Sequence, residues 1–383
     1  MKWEKVKLGD IATFSNGINF NKTAYAKGIK LIGVSNFGDR FYPDYSQLQE
    51  VKKDIVRLED CLRNGDIVFV RSNGNKELVG RCMLVKNPTK RVTYSGFCIR
   101  ARLNDTDRYD PVYFTYYFKS KAFRRAVSGT AVGANIQNLS QARLSNHECR
   151  IPSIEVQHRI ADILSAYDDL IENNQKQIKL LEEVAQRLYK EWFVNLRFPG
   201  HENTKIVDGV PEEWRKFPLE EIAPVVTGKK DANYGDKGGN YPFFTCSQET
   251  ITAPGYSFDT SAVILAGNGD FNVKLYRGKF EAYQRTYVLA PFDHSNLFNL
   301  YFTVQNNMEA LAKGASGSTI KFLTKGMLQK ILVLTADKKI LDKFNDYEEN
   351  IQQKVEALKK QVEDLTEIRN RLLPKLMSGE VEV

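Results

Sequence analysis

The stretch IADILSAYDDLIENNQKQIKLLEEVAQRLYKEW, residues 160–192, decides the fold. Stepping alternately by four and three picks out Ile160, Leu164, Tyr167, Ile171, Asn174, Ile178, Leu181, Ala185, Leu188 and Trp192. All but Asn174 are apolar or aromatic, while the positions between them are mostly charged or amide, such as Asp168, Glu172, Lys179, Glu183 and Arg187. A 4-3 alternation keeps one apolar stripe facing one partner helix, which is the seam of a coiled coil. At 1.5 Å per residue the helix is about 50 Å long, more than one compact domain can enclose. It must pack against something of similar length.

That partner lies in the same chain. An offset of 184 converts the seam into Phe344, Glu348, Ile351, Val355, Leu358, Val362, Leu365, Arg369, Leu372 and Leu376, of which only Glu348 and Arg369 are not apolar. Any two heptad helices can be overlaid, so the register alone proves little. What precedes each helix is repeated as well. Trp3, Lys5, Leu8, Ile11, Ala12 and Gly17 match Trp214, Lys216, Leu219, Ile222, Ala223 and Gly228 at an offset of 211. Asn73-Gly74 after one apolar run matches Asn268-Gly269 after another. Val112, Tyr113, Tyr116, Tyr117, Phe123 and Gly129 match Leu297, Phe298, Tyr301, Phe302, Met308 and Gly314 at 185, and Ile136, Leu139 and Ser140 match Ile320, Leu323 and Thr324 at 184. The shrinking offset means that the second half has shorter loops. The chain is a duplication: globular domain, long helix, globular domain, long helix.

The globular halves read as mixed α and β. Leu8, Ile11 and Ala12 sit at helical spacing before a Ser15-Asn16-Gly17 stop. Residues 29–34, 66–70, 82–85, 97–103 and 149–151 are short apolar runs bounded by turn residues, hence strands. Asp110-Pro111 opens a helix expected to run to about Ser128, with aspartate as cap and proline in the first turn. The expected divisions are a first domain over 1–152, a first long helix over 153–198, a polar linker over 199–213, a second domain over 214–336 and a second helix with tail over 337–383.

A length of 383 residues fits two domains with real cores, and a formal charge of +8 suits a polyanion partner without requiring one. Five widely spaced cysteines with no Cys-x-x-Cys pair, and four scattered histidines, predict reduced thiols and no metal. The first residues do not read as a signal peptide, and no apolar run is long enough to span a bilayer, so a cytoplasmic protein with no membrane contact is expected.

Catalytic motifs are missing. There is no phosphate-binding Gly-x-x-x-x-Gly-Lys-Ser/Thr loop and no Gly-x-Ser-x-Gly elbow. Asp110-Pro111-Val112-Tyr113 resembles the Asp-Pro-Pro-Tyr motif of amino-methyltransferases but lacks its second proline, and the other half has Asn296 and no proline there. It is better explained as a helix start. What the loops offer is basic and amide chemistry, the side chains that read base edges and hold phosphates. The candidate DNA contacts are Arg71, Ser72, Asn73, Asn75, Lys76, Arg124, Arg125, Asn135, Gln137 and Asn138 in the first half. In the second they are Lys229, Lys230, Asn268, Asn272, Lys274, Ser316, Ser318, Thr319 and Lys321. Each alone suits a solvated loop. Together, differing between two copies of one frame, they look like two readers of different texts.

These phrases resemble the specificity subunit of type I restriction–modification systems. The resemblance rests on the paired Trp…Leu…Ile-Ala…Gly openings, the Leu139-Ser140 and Leu323-Thr324 closings, and Ile151-Pro152-Ser153 with Gln157 before the first helix. It rests also on the junction from Glu191-Trp192-Phe193 to Trp214 and on the terminal Leu372-Leu373-Pro374-Lys375-Leu376. It implies an α+β protein with two target recognition domains, each followed by a long helix, the helices forming an antiparallel intramolecular coiled coil. It implies double-stranded DNA as ligand, a bipartite target, two docked modification (methyltransferase) subunits and restriction subunits in the full complex. The subunit itself would hold no cofactor and catalyse nothing. Two other functions fit parts of the pattern. A stand-alone coiled-coil scaffold would bind DNA without sequence preference, and a single-chain DNA methyltransferase would bind its own cofactor.

Overall fold

The computed structural model describes residues 3–38, 40–73, 78–128, 138–315, 317 and 321–383. They form two compact units: Met1–Asn174 together with Lys360–Val383, and Gln175–Lys359. Each unit therefore contains one globular half and a segment of each long helix.

In the first unit, strand Glu4–Lys7 pairs antiparallel with Glu148–Ile151, joining the two ends of the globular half. A four-stranded sheet runs in the order Ala12–Asn16, Cys98–Leu103, Ile67–Val70, Cys82–Leu84, beside a three-stranded sheet of Gln49–Val51, Tyr25–Ile32 and Val92–Tyr94. The expected helix before Gly17 is a single turn, Leu8–Ile11. Strand pairing takes the residues on both sides of it, so the 8-11-12 spacing marks buried positions around one turn. The expected helix to Ser128 is broken into Pro111–Lys119 and Lys121–Ser128. Ser120 is extended and its Oγ accepts the Phe123 amide at 3.2 Å, so a serine able to cap restarts the helix in a new direction. Asp110 caps the first piece as expected, accepting from the Tyr113 amide at 2.6 Å.

The second unit repeats this plan. Arg215–Pro218 pairs with Leu332–Thr335, and a six-stranded sheet supports helix Leu297–Gly314. The stretch 199–213, expected as a bare linker, contains a hairpin of Ile206–Val207 with Val210–Pro211. Asp208 and Gly209, both at positive φ, close it, the geometry that suits a two-residue hairpin turn.

The first long helix runs over Ile154–Tyr189 and ends in a wider turn, Lys190–Val194, where the Asn195 amide reaches back to the Lys190 carbonyl. That end falls short of the expected residue 198. The second long helix runs over Lys338–Ser378. Within the first unit their segments run antiparallel: Asn174 donates to Gln361 at 3.2 Å, and Arg369 pairs with Asp168. Within the second unit Glu182 pairs with Lys359 at 3.4 Å and Trp192 packs on Phe344, again with opposite direction. All twenty seam positions are buried or half-buried.

The two charged seam residues differ. Arg369 is neutralised by Asp168, which also accepts a 2.6 Å hydrogen bond from Tyr116, so one carboxylate ties the globular half to both helix segments of its unit. Glu348 is fully buried and neither carboxylate oxygen has a hydrogen-bond partner among the described residues. Burial pushes its carboxyl up to about 8, and Tyr301, itself near Glu182, faces it. A carboxyl protonated in the fold and ionised in the unfolded chain favours folding at low pH. The stability it contributes is full below the ordinary glutamate value of 4.5 and is lost as pH rises toward about 8. The slope is about 1.4 kcal/mol per pH unit in that window. Glu348→Gln is expected to flatten the fall in melting temperature between pH 5.5 and 8, and Glu348→Leu to raise stability at pH 8 by about 1–4 kcal/mol. Superimposable pH profiles for wild type and Glu348→Gln would show that the carboxyl finds water or a partner.

Asn174 is buried and its amide is bonded to Gln361 across the helix pair. A buried amide in a seam costs stability and restricts register. Asn174→Leu is expected to raise the melting temperature and promote self-association; a lower melting temperature with unchanged oligomeric state would count against the register role.

Candidate nucleic-acid interface

In each unit the loops that carry the candidate residues are drawn together by the same backbone bonds. In the first, strand Ile67–Val70 ends at Arg71, whose amide donates to the Phe97 carbonyl at 2.8 Å and whose carbonyl accepts the Leu139 amide at 3.0 Å. In the second, strand Phe258–Ala266 ends at Gly267, whose amide donates to the Arg285 carbonyl at 2.9 Å and whose carbonyl accepts the Leu323 amide at 2.8 Å. The Leu-Ser/Thr phrases thus have a defined task. The leucine amide pins the end of a loop to a strand end, and the hydroxyl caps the next helix: Ser140 accepts from Arg143, Thr324 from Met327. Matching Arg71 to Gly267 makes Ser72, and not Asn73 as the sequence match had it, the counterpart of Asn268 in the repeated frame.

The glycines of the opening phrases serve the same frame. A Cβ on Gly17 would lie 2.2 Å from the Tyr94 carbonyl oxygen, and one on Gly228 2.0 Å from that of Ala282. Only glycine lets these segments approach so closely.

The candidate residues divide by what their polar atoms already do. Arg71 lies at the centre of the first cluster, half-exposed, with Nη1 donating to the Gly96 carbonyl at 3.3 Å; Ser72 and Asn73 follow it, and exposed Asn138 adjoins Leu139. Arg124 and Arg125 lie on helix Lys121–Ser128, half-buried and exposed respectively. In the second unit Lys229 and Lys321 are exposed, while Lys230 lies 4.4 Å over the Tyr234 ring. Asn268 forms a bridge with Phe322, next to Lys321. Asn272 and Lys274 are half-buried, and their donors are spent on nearby carbonyls. Asn272 Nδ2 donates to the Cys246 and Asp270 carbonyls at 3.2 and 2.7 Å. Lys274 Nζ donates to the Ser247 carbonyl at 2.7 Å, and burial pulls its ammonium below the ordinary lysine value. Asn75, Lys76, Asn135, Gln137, Ser316, Ser318 and Thr319 lie outside the described residues. Among the described residues no cluster of three or more His, Cys, Asp or Glu side chains could hold a metal, and no helix is long and apolar enough to cross a membrane. Burial pushes the Cys82 and Cys98 thiols up to about 11 and about 12, away from nucleophilic use.

The chain matches the family described as "Type I restriction modification DNA specificity domain" over residues 1–183 and 211–364, once per unit-building half. It belongs to that family. The EcoDI specificity subunit of Escherichia coli is 37% identical over 45% of this chain and 39% of its own length. The MjaIX specificity subunit of Methanocaldococcus jannaschii is 26% identical over 80% and 76%. The HindI specificity subunit of Haemophilus influenzae is 23% identical over 99% of each chain. The crystal structure of the M. genitalium type I system S subunit shares the fold, with a TM-score of 0.62 at 18% identity over 98% of this chain and 96% of that one.

For a specificity-domain chain, residues that the sequence left unremarked stand at the loop clusters. Phe97 and Arg285 are both exposed there, each the third residue of a turn closed by a main-chain bond that does not involve its own side chain. Gly17→Ala and Gly228→Ala are expected to destabilise their own unit by about 1–3 kcal/mol through overpacking. Denaturant unfolding of each variant checks this, and an unchanged midpoint would mean that the close approach relaxes freely.

Proposed function

We propose that this chain is the sequence-specific DNA-binding subunit of a type I restriction–modification complex. Each globular half reads one part of a bipartite double-stranded target. The helix pair sets their spacing and docks two modification subunits, with restriction subunits joining the full assembly. Methyl transfer and cleavage belong to those partners, and the complex works in the cytoplasm. The observation that carries this reading is the repeated loop frame: the same strand-end, turn and Leu-pinned bonds occur in both units, while the polar side chains on them differ. One frame with two texts suits a split target. A second support is the outer surface of the helices. Leu170, Leu180, Val184 and Val194 on the first and Tyr347 and Ile368 on the second are 47–60% exposed, apolar area that a docked subunit can cover. The candidate contacts of both halves, Arg71 through Lys321, are proposed on the same basis, with Asn272 and Lys274 acting by shaping their loop.

Binding is expected to fall steeply with ionic strength, because basic loops release counterions from the phosphates. Inserting one heptad into both helices keeps the seam continuous and lengthens each by about 10 Å. At about 3.4 Å per base pair, the gap between half-sites should widen by about 3 base pairs while both half-site sequences persist. Affinity should drop, since this turns one half-site by about a third of the roughly 10 base pairs in a helical turn. Selection from random DNA with the complex carrying its modification subunits checks this. An unchanged gap would sink the ruler role of the helices.

A further inference from the structure

The turn that meets each strand end is built on the same set of main-chain bonds in both units. In the first unit the Cys98 amide closes a turn on the Ser95 carbonyl at 2.8 Å, and the Gly96 amide donates to the Ile18 carbonyl at 2.7 Å. In the second the Thr286 amide closes a turn on the Tyr283 carbonyl at 2.8 Å, and the Gln284 amide donates to the Lys230 carbonyl at 2.9 Å. Ile18 bridges Ser95 and Lys230 bridges Tyr283, both parallel. The Gly17 amide donates to the Cys98 carbonyl, and the Gly228 amide to that of Thr286. With the strand-end bonds to Phe97 and Arg285, these place one pair of residues at one position of the frame, the third residue of the turn. The side chains there could hardly differ more: a phenyl ring in one unit, a guanidinium in the other.

Phe97 is 63% exposed. A ring of this size left in water forgoes burial, and the bonds of its turn do not use it: they are made by main chain and by Ser95, whose Oγ accepts the Phe97 amide at 3.2 Å. Beside it opens a groove of about 390 Å³ bordered by Asn19, Asn21, Asn36 and Tyr25, with no acidic residue in its wall. The carboxamides are held from behind. Asn36 Oδ1 accepts the Gly33 amide at 2.8 Å, Asn21 Oδ1 accepts the Thr23 amide at 3.1 Å, and Asn19 lies so near Gly96 that a Cβ there would be 2.1 Å from its Oδ1. With their oxygens occupied, Asn21 and Asn36 have NH2 groups left to donate. An exposed ring beside amide donors, with Arg71 adjoining, matches a base presenting acceptor atoms and an apolar face or methyl group. Arg285 is exposed, while its neighbour Gln284 is tied to Asp231 at 2.5 Å. A guanidinium at such a tip has the fork geometry that guanine O6 and N7 accept.

We propose that this turn position is a base-contacting specificity determinant in both halves: Phe97 makes apolar contact with a base in one part of the target, and Arg285 reads a guanine in the other. The proposal rests on the DNA-reading function above. The test is selection from random duplex DNA by the complex with its modification subunits, comparing wild type with Phe97→Ala, Phe97→Arg and Arg285→Gln. Phe97→Ala should flatten preference at one or two adjacent positions of one half-site, and Phe97→Arg should shift preference there toward guanine. Arg285→Gln should weaken preference for one guanine in the other half-site by about ten- to hundredfold. Melting temperatures should not change, because both side chains are exposed. Selected sequences identical to wild type in all three variants would overturn the proposal. So would a uniform loss of affinity with a shallower salt slope for Arg285→Gln, which marks a phosphate contact. A wild-type complex that selects no two-part sequence would refute the functional reading itself, a result distinct from wild-type selection that the variants leave intact.

Discussion

Neither globular half closes on contiguous chain, and the rest of the structure depends on that. The first core joins Leu8, Leu144, Ile160 and Leu164 to Leu376, with Leu372 and Met377 packed against it from the far end of the sequence. The second joins Trp214, Phe298 and Phe302 to Tyr189 and Trp192 on one side in sequence and to Leu341 and Phe344 on the other. Each unit must recruit a segment from both long helices to bury its apolar face. The helices are therefore structural members of both units, and the heptad seam is the extension of those two cores. A change in the seam acts directly on the folding of the globular half that the seam segment serves.

That dependence gives the polar seam residues their meaning. Arg369, Asp168 and Tyr116 make a charge-assisted set that joins three elements of one unit, and every member has a partner. Gln157, fully buried, does similar work at the start of the first helix, accepting the Asp110 amide at 3.0 Å and donating to the Pro152 and Arg108 carbonyls. Glu348 occupies the same seam in the other unit with no such set around it. Two helix segments of one register are thus held by opposite means, a paired charge in one unit and an apolar, aromatic cluster around a protonated carboxyl in the other. A pairing error between the two segments would strip Arg369 of Asp168 and bring it against apolar surface, a large penalty that favours one alignment.

The helices were legible because a 3.5-residue period writes itself into side-chain identity, and every seam residue named from the sequence faces inward. The duplication was legible for the same reason: Trp, Leu, Ile, Gly and the capping Ser or Thr are chosen by packing, close approach and capping. Local run-ons were not. Ser120 interrupts a continuous apolar pattern because its cap bond competes with helix continuation, and strand pairing on either side reduces 8–11 to one turn. The loop candidates show the sharper limit. Asn272 and Lys274 read in sequence like Lys229 or Lys321, since a donor spent on a nearby carbonyl and one facing water belong to the same residue types. Phe97 was read only as the start of an apolar run over 97–103, whose strand begins at Cys98, and Arg285 not at all, because the turn that presents them is closed by main-chain bonds that do not involve their side chains.

Those main-chain bonds explain how one frame can carry two texts. A bond between an amide and a carbonyl makes no demand on the side chain between them, so the third residue of the turn is free to be phenylalanine or arginine at little cost to the fold. The demand falls elsewhere, on Gly17 and Gly228, where a single methyl would collide with a carbonyl oxygen, and on Leu139 and Leu323, whose side chains are buried while their amides pin the loop. The demands of the fold thereby fall on these residues and leave the side chain of the turn free. A domain built this way can exchange side chains at the turn and keep the geometry with which it presents them.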